Sequence, residues 1–220
     1  MEGSFRRPLP DGLTLIETFA RRDGRFVDLD AHLARMAATA AALGIGFRRG
    51  EVDAALAGVA GDGPQRIRLT LDREGRAAVA ATPLTAAPAV WRLALAAERL
   101  DPDDPWLRMK TSERGRYDRA RAALPEGVDE LVFLNRRGEV CEGTITNLFL
   151  RRGGTFLTPP VRCGLLPGVL RGRLLARGEA REAVLAPADL AGGAVYVGNS
   201  LRGLAPARMV GPSGGPPARG

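Results

Sequence analysis

Lys110 is the single lysine among 32 basic residues, so the other 31 are arginines. It stands in the stretch Trp106-Leu-Arg-Met-Lys110-Thr-Ser112. Arginine serves solubility, ion pairing and phosphate binding, but its guanidinium does not give up its proton in a protein. An amine can lose its proton, attack a carbonyl and carry protons during a reaction. A lone amine in an arginine-rich chain therefore reads as a site of covalent amine chemistry. The alternative is a composition bias toward Ala, Arg, Gly and Pro that has left one stray lysine, and the neighbouring motifs decide between the two.

Four further pieces carry chemistry. In Glu139-Val-Cys-Glu142-Gly-Thr-Ile-Thr-Asn147, strand alternation puts Val140, Glu142 and Thr144 on one face. A carboxylate flanked by apolar residues is costly to bury alone, so Glu142 lies either at an exposed edge or against a cationic partner such as a ring nitrogen. In Cys163-Gly-Leu-Leu-Pro167-Gly168-Val-Leu-Arg171, Pro and Gly lead into a helix, whose free amides at Val169 and Leu170 suit an anion, although many ordinary helices begin this way. Gly198-Asn-Ser200-Leu-Arg-Gly203 offers a hydroxyl in a Gly-bounded turn. Arg35 follows His32 by one helical turn, where it either snorkels or reaches an anion.

Together these supply a lysine, a carboxylate, an arginine, a helix start and a hydroxyl turn. That set is what pyridoxal 5′-phosphate requires: an amine for its aldehyde, an acid for its ring nitrogen, and donors for its phosphate. On these residues the chain resembles the fold-type IV pyridoxal-phosphate enzymes, the class IV aminotransferase family, and within it the short aminodeoxychorismate lyases. The matching stretches are Leu15-Ile-Glu-Thr18, His32-Leu-Ala-Arg35-Met, Lys110-Thr, Tyr117-Asp, Gly138 to Asn147, Leu157-Thr-Pro-Pro160, Cys163 to Gly168 and Asn199 to Gly203, so the likeness runs from about Leu13 to Ala207.

The resemblance implies an α+β fold of two domains, like that of D-amino acid aminotransferase, with the cofactor in the cleft between them. It implies Lys110 as the cofactor-binding lysine and proton shuttle, and Glu142 facing the ring nitrogen. Arg35, the Val169 and Leu170 amides and Ser200 would hold the phosphate, and Thr18 would face the substrate. The implied reaction converts 4-amino-4-deoxychorismate to 4-aminobenzoate and pyruvate in folate synthesis. Rival readings are a D- or branched-chain amino acid aminotransferase and a non-catalytic relative that binds a partner through arginines. A homodimer is implied, with an aminodeoxychorismate synthase component as a further partner. Arg162, Arg171 and Arg202 are unranked candidates for substrate carboxylates, and the role of Tyr117 stays open. On this resemblance the family's opening strand is expected to be shortened or absent, and Glu113, an acid near Lys110, must point away or be offset by Arg114 and Arg116.

Composition excludes other chemistries. One histidine, His32, and two cysteines, Cys141 and Cys163, do not make a structural zinc site or a disulfide framework. His32 is expected to be partly buried or capping. Net charge is +7, but the arginines are spread out and aromatics are 5%, which argues against a nucleic-acid partner. No apolar run is long enough to span a bilayer and the first residues lack a signal-peptide core, so no membrane role is expected and the chain is placed in the cytoplasm.

These groups need elements to hold them. Leu13 to Ala20 reads as a strand, with Asp23-Gly24 turning it back through Asp28. Asp28 or Asp30 caps a helix to Leu43, ended by Gly44 and Gly46, and a second helix covers Val52 to Val59. Strands follow at 65–71, 76–81 and 90–97. Asp101-Pro-Asp-Asp-Pro105 marks a crossover, placing one domain at 1–104 and a β-rich one carrying most of the cofactor site at 105–210. A helix at 113–124 precedes strands at 130–134, 139–144, 147–151 and 155–157. A helix at 168–176 and strands at 181–185 and 194–197 complete the reading, and the Gly/Pro-rich 211–220 is expected to be disordered.

Overall fold

The computed structural model describes residues 8–210; the first seven residues and the tail expected to be disordered lie outside the described residues. The chain forms two compact units that interleave in sequence. One comprises residues 8–86 with Met109–Arg114, the other Ala87–Arg108 with residues 115–210. The division therefore differs from the one expected at 104/105. The strand from Trp91 to Leu100 pairs into the second unit's sheet, while the lysine segment pairs back onto the first unit's.

The first unit contains β1 (Leu15–Arg22), β2 (Arg25–Phe26), α1 (Leu29–Leu43), α2 (Arg49–Ala57), β3 (Gln65–Leu71) and β4 (Ala77–Pro83). Its sheet runs β2-β1-β3-β4, antiparallel throughout. The pleat sorts the residues. Leu15, Glu17 and Phe19 of β1 and Ile67, Leu69 and Leu71 of β3 are buried on the side of α1. Ile16, Thr18 and Ala20 share the other face with Arg66, Arg68 and Thr70.

Helix α1 follows its apolar spacing: Leu33, Met36, Ala40 and Leu43 are buried, each such side chain larger than alanine contributing about 1.5–3 kcal/mol. Gly44 ends it with φ 70° and returns its N–H to the carbonyls of Ala40 and Ala41, as expected. The expected aspartate cap is not formed. Asp28 occupies the position before the helix but in left-handed geometry, without a side-chain cap bond. The return strand is only two residues long because Asp23 and Asp28 both turn with positive φ. Helix α2 starts at Arg49, three residues earlier than read, on an Arg48–Glu51 pair.

The second unit contains β5 (Trp91–Leu100), α3 (Gly115–Ala122), β6 (Glu130–Asn135), β7 (Val140–Gly143), β8 (Asn147–Arg152), β9 (Thr155–Thr158), α4 (Val169–Ala176), β10 (Ala180–Glu182), α5 (Pro187–Ala191), β11 (Ala194–Asn199) and β12 (Gly203–Met209). The sheet order is β10-β9-β8-β11-β12-β5-β6-β7, and a further β7–β8 pairing closes six of the strands into a barrel. Pairings β5–β6, β5–β12 and β9–β10 are parallel and the rest antiparallel. Leu93, Val132, Val140, Leu148, Leu150 and Val197 belong to its main apolar core.

Two elements were not anticipated. Strand β12 carries Pro206, which lacks an amide donor and reads as a breaker, yet it sits opposite Tyr196 of β11. Helix α5 is a single short stretch, closed by the Asp189 carboxylate accepting from the Ala186 N–H at 2.9 Å. The strand expected at 181–185 shrinks to Ala180–Glu182, since Pro187 starts that helix. Among the described residues no helix is long and apolar enough to cross a membrane.

Candidate active site

Lys110 belongs to the first unit because its segment is stitched to the start of β1. Ile16 N–H donates to the Lys110 carbonyl at 2.8 Å, Ser112 N–H to the Thr14 carbonyl at 2.8 Å, and Thr14 N–H to the Ser112 hydroxyl at 3.0 Å. These bonds flank an antiparallel bridge between Leu15 and Thr111. Thr111 is buried beside Leu15. Alternation then sets Lys110, half-buried, on the face of the sheet that carries Ile16 and Thr18. Arg68, half-buried, pairs directly across from Thr18 on that face. The amine, the hydroxyl and a guanidinium thus share one sheet surface. Glu113 is exposed, while Arg116 is committed to Asp104 at 2.8 Å.

Arg35 sits on α1, against a buried carboxylate that sequence reasoning passed over. Glu17 accepts from Arg35 Nε at 2.8 Å and Nη2 at 2.6 Å, and His32 Nδ1 lies 2.6 Å from its Oε2. Burial alone would push the Glu17 carboxyl up, but the bonds from His32 and Arg35 outweigh it and hold the group ionised below its usual range. His32 is thus a buried partner of Glu17, not a cap. The signal was present in the sequence. A glutamate in phase with Leu15 and Phe19 must be buried, and His32 and Arg35 are one helical turn apart, so both can reach it.

In the second unit, Glu142 is buried at 6% exposure and faces Asn147 across β7 and β8. It is not at an exposed edge. Its Oε1 accepts from the Tyr117 hydroxyl at 2.7 Å and its Oε2 from the Leu166 N–H at 3.1 Å. Asn147 Nδ2 donates to the Leu166 carbonyl at 3.0 Å, so both backbone groups of Leu166 are held by the β7–β8 pair. The turn joining the two strands is tied to Glu130, fully buried. Its carboxylate accepts from the Thr144 N–H at 2.9 Å, from the Thr144 hydroxyl, from the Ile145 N–H at 3.3 Å and from the Thr146 hydroxyl at 3.1 Å. Gly143 is required here, because a Cβ would come within 2.9 Å of Glu130 and 2.5 Å of Thr146 Oγ1.

Gly168, Val169 and Leu170 begin α4, where the first amides of a helix have no acceptor within it. Gly168 packs so closely on Asn147 that a Cβ would collide with its amide group. Gly198 of β11 lies opposite Asn147 and packs on Leu170. Ser200 follows in the tight turn to β12, held by Asn199, whose Nδ2 donates to the Ile145 carbonyl at 3.1 Å and whose Oδ1 accepts the Arg202 N–H at 2.9 Å. Glu142, the α4 start and the Ser200 turn are therefore brought together around Asn147. Of the carboxylate-binding candidates, Arg171 is buried and committed to the Pro159 carbonyl at 2.9 Å and Glu182 at 2.5 Å, so it serves the fold. Arg162 is exposed and Arg202 half-buried. This donor set fits an anionic aromatic ligand: amides and a hydroxyl for a phosphate, a buried acid for a protonated ring nitrogen.

Known proteins share this architecture. The sequence profile described as "Amino-transferase class IV" matches residues 14–210. The solved structure of the "Putative amino-acid aminotransferase" from Mesorhizobium loti is 43% identical, with a TM-score of 0.87 over 90% of this chain and all of that one. The "Putative aminodeoxychorismate lyase" of Schizosaccharomyces pombe is 30% identical over 73% of this chain and 72% of its own length. A "hypothetical aminotransferase" of Mycobacterium tuberculosis, solved in an "alpha-ketoglutarate and PMP bound form", is 25% identical with a TM-score of 0.74, over 89% of this chain and 81% of that one. The chain belongs to the class IV aminotransferase family, enzymes that use pyridoxal 5′-phosphate to act on small amino substrates.

Proposed function

We propose that the protein is an aminodeoxychorismate lyase, releasing 4-aminobenzoate and pyruvate from 4-amino-4-deoxychorismate. The observation that carries it is the placement of Lys110, Thr18 and Arg68 on one sheet face, where an amine able to move a proton stands beside donors for a carboxylate-bearing substrate. The S. pombe relative supports the choice of lyase.

Bound pyridoxal phosphate supplies a covalent link to the substrate amine and a ring that takes up electrons from the adjacent carbon. Lys110 would hold the cofactor's aldehyde and then accept the proton from the amine-bearing ring carbon. The carbon–oxygen bond to the enolpyruvyl group then breaks, that proton ends on the released pyruvate, and the ring becomes aromatic. Glu142 would keep the cofactor's ring nitrogen protonated. Arg35, the Val169 and Leu170 amides and Ser200 would hold its phosphate, Thr18 would contact the substrate, and Arg68 would bind a substrate carboxylate as a charge-assisted pair. The family resemblance further supports a homodimer in the cytoplasm, supplied by an aminodeoxychorismate synthase component for folate synthesis.

The test is an aminobenzoate fluorescence assay on protein reconstituted with pyridoxal phosphate, with substrate generated in situ and Lys110→Ala as control. Aminobenzoate and pyruvate formed together, and lost together in the variant, support the lyase. A second reading is an amino acid aminotransferase, favoured by the M. loti structure. It shares the first proton removal and differs in needing a keto acid. Cofactor binding without aminobenzoate, followed by turnover of an amino-acid/keto-acid pair, would establish it instead.

A further inference from the structure

The Tyr117–Glu142 bond has features that a packing contact does not need. Tyr117 lies in the first turn of α3, the helix that begins soon after Lys110. Its ring packs edge-on against Phe133, with centroids 5.2 Å apart and planes at 75°, within a cluster that includes Leu131, Cys141 and Leu165. That apolar contact fixes the ring, and the fixed ring aims its hydroxyl at Glu142 Oε1 from 2.7 Å. On the other side the Leu166 N–H reaches Oε2, so each carboxylate oxygen is held by a donor. The Leu166 amide is backbone, positioned by Asn147. The phenol is a side-chain donor in this grip.

The proton of this bond stays on the tyrosine. Burial, and then the nearby Glu142 charge, push the phenol's proton affinity well above that of free tyrosine. Tyr117 is therefore a committed donor, and a hydrogen bond donated to a carboxylate favours its ionised form.

We propose that Tyr117 is a positioning residue for Glu142, holding its carboxylate ionised and in one orientation so that the proton shared with the cofactor's ring nitrogen stays on the nitrogen. This rests on the reading of Glu142 as the ring-nitrogen partner. Without the phenol donor the carboxylate becomes more basic and freer to turn, and it competes for that proton. A ring nitrogen that has lost its charge draws fewer electrons from the bond between cofactor and Lys110, so the nitrogen of that bond keeps its own proton to higher pH.

The experiment is a pH titration of the visible cofactor absorbance of the reconstituted holoenzyme, with cofactor affinity measured in parallel, for wild type, Tyr117→Phe, Glu142→Gln and the double variant. Tyr117→Phe keeps the ring and its contact with Phe133, and a melt of each cofactor-free variant checks folding. Tyr117→Phe should raise the absorbance midpoint and weaken cofactor binding about tenfold, the scale of one hydrogen bond to a charged group. Glu142→Gln should shift the midpoint further, and adding Tyr117→Phe to it should change nothing more. If Glu142→Gln shifts the midpoint but Tyr117→Phe behaves as wild type, Tyr117 is packing only and the proposal is overturned while Glu142 keeps its role. If neither single variant moves the midpoint, the reading of Glu142 fails and the proposal falls with it. Should Tyr117→Phe not fold, Phe133→Leu, which loosens the ring while keeping the hydroxyl, must shift the midpoint in the same direction, and an unchanged midpoint refutes the idea.

Discussion

Glu142 and Asn147 face each other across β7 and β8, and that pair is the register point at which the second unit's sheet closes on itself. One of the two residues carries the acid, and the other holds the Leu166 carbonyl and leaves room only for glycine at 168. Gly168→Ala should therefore do more than a helix-start alanine usually does. We expect a loss of about 1–3 kcal/mol in stability by urea denaturation, the scale of overpacking, together with weaker pyridoxal-phosphate binding. Normal stability and affinity in this variant would show that the close approach has no energetic weight.

Lys110→Arg keeps the charge and most of the length but removes the amine's ability to shed a proton. Loss of the proton-transfer role alone should reduce turnover by about 10²–10⁴-fold, and the covalent cofactor absorbance should vanish. Folding should survive, since the bonds that fix this segment are made by the backbone and Ser112. Steady-state kinetics and the absorbance spectrum check both halves.

Arg68→Gln tests the sheet face. With the guanidinium gone, KM for the carboxylate substrate should rise about 10- to 100-fold, matching a lost charge-assisted hydrogen bond, while affinity for pyridoxal phosphate holds. A change in cofactor affinity with KM untouched would put Arg68 on the phosphate.

The two buried glutamates should pull stability in opposite directions with pH. Glu17 is held below its usual 4.5 because the bonds from His32 and Arg35 outweigh burial, so its contribution is full above that value and is lost as pH falls through the folded one. Glu130 is raised above 4.5, because burial outweighs the bonds from Thr144 and Thr146. The folded state then binds its proton more tightly, and stability falls as pH climbs from 4.5 toward the folded value. Glu17→Gln should cost roughly 3 kcal/mol near neutral pH, leaving Arg35 without its buried anionic partner, and should flatten the acid limb. Glu130→Gln should remove the decline above 4.5. Denaturation midpoints across pH 3–8 separate the two, and slopes of the same sign would refute the assignment.

The site was more legible in the sequence than the framework that carries it. Lys110 stood out as a single amine, and Glu142, Gly168 and Ser200 each lay in a short motif whose local geometry follows from residue type. The partners of those residues were not legible, since Tyr117 and Leu166 meet Glu142 only after strands far apart in sequence have paired. Glu17 was readable from its phase on β1 and was passed over. Strand β12 was hidden by Pro206, and the unit boundary by the composition break at Asp101–Pro105, which marks a loop within one unit rather than a passage between two. Alternation predicts which face a residue takes, but not which distant strand will cover it.

The stitch between Thr14 and Ser112 joins residues 98 positions apart. A ribosome making this protein has therefore delivered every strand of the four-stranded sheet before it delivers the lysine. The amine arrives on a segment that must close this long loop to reach the start of β1, and loop closure is entropically costly. Lys110 can take its place on this sheet only after β5, the first strand of the second unit, has been synthesised.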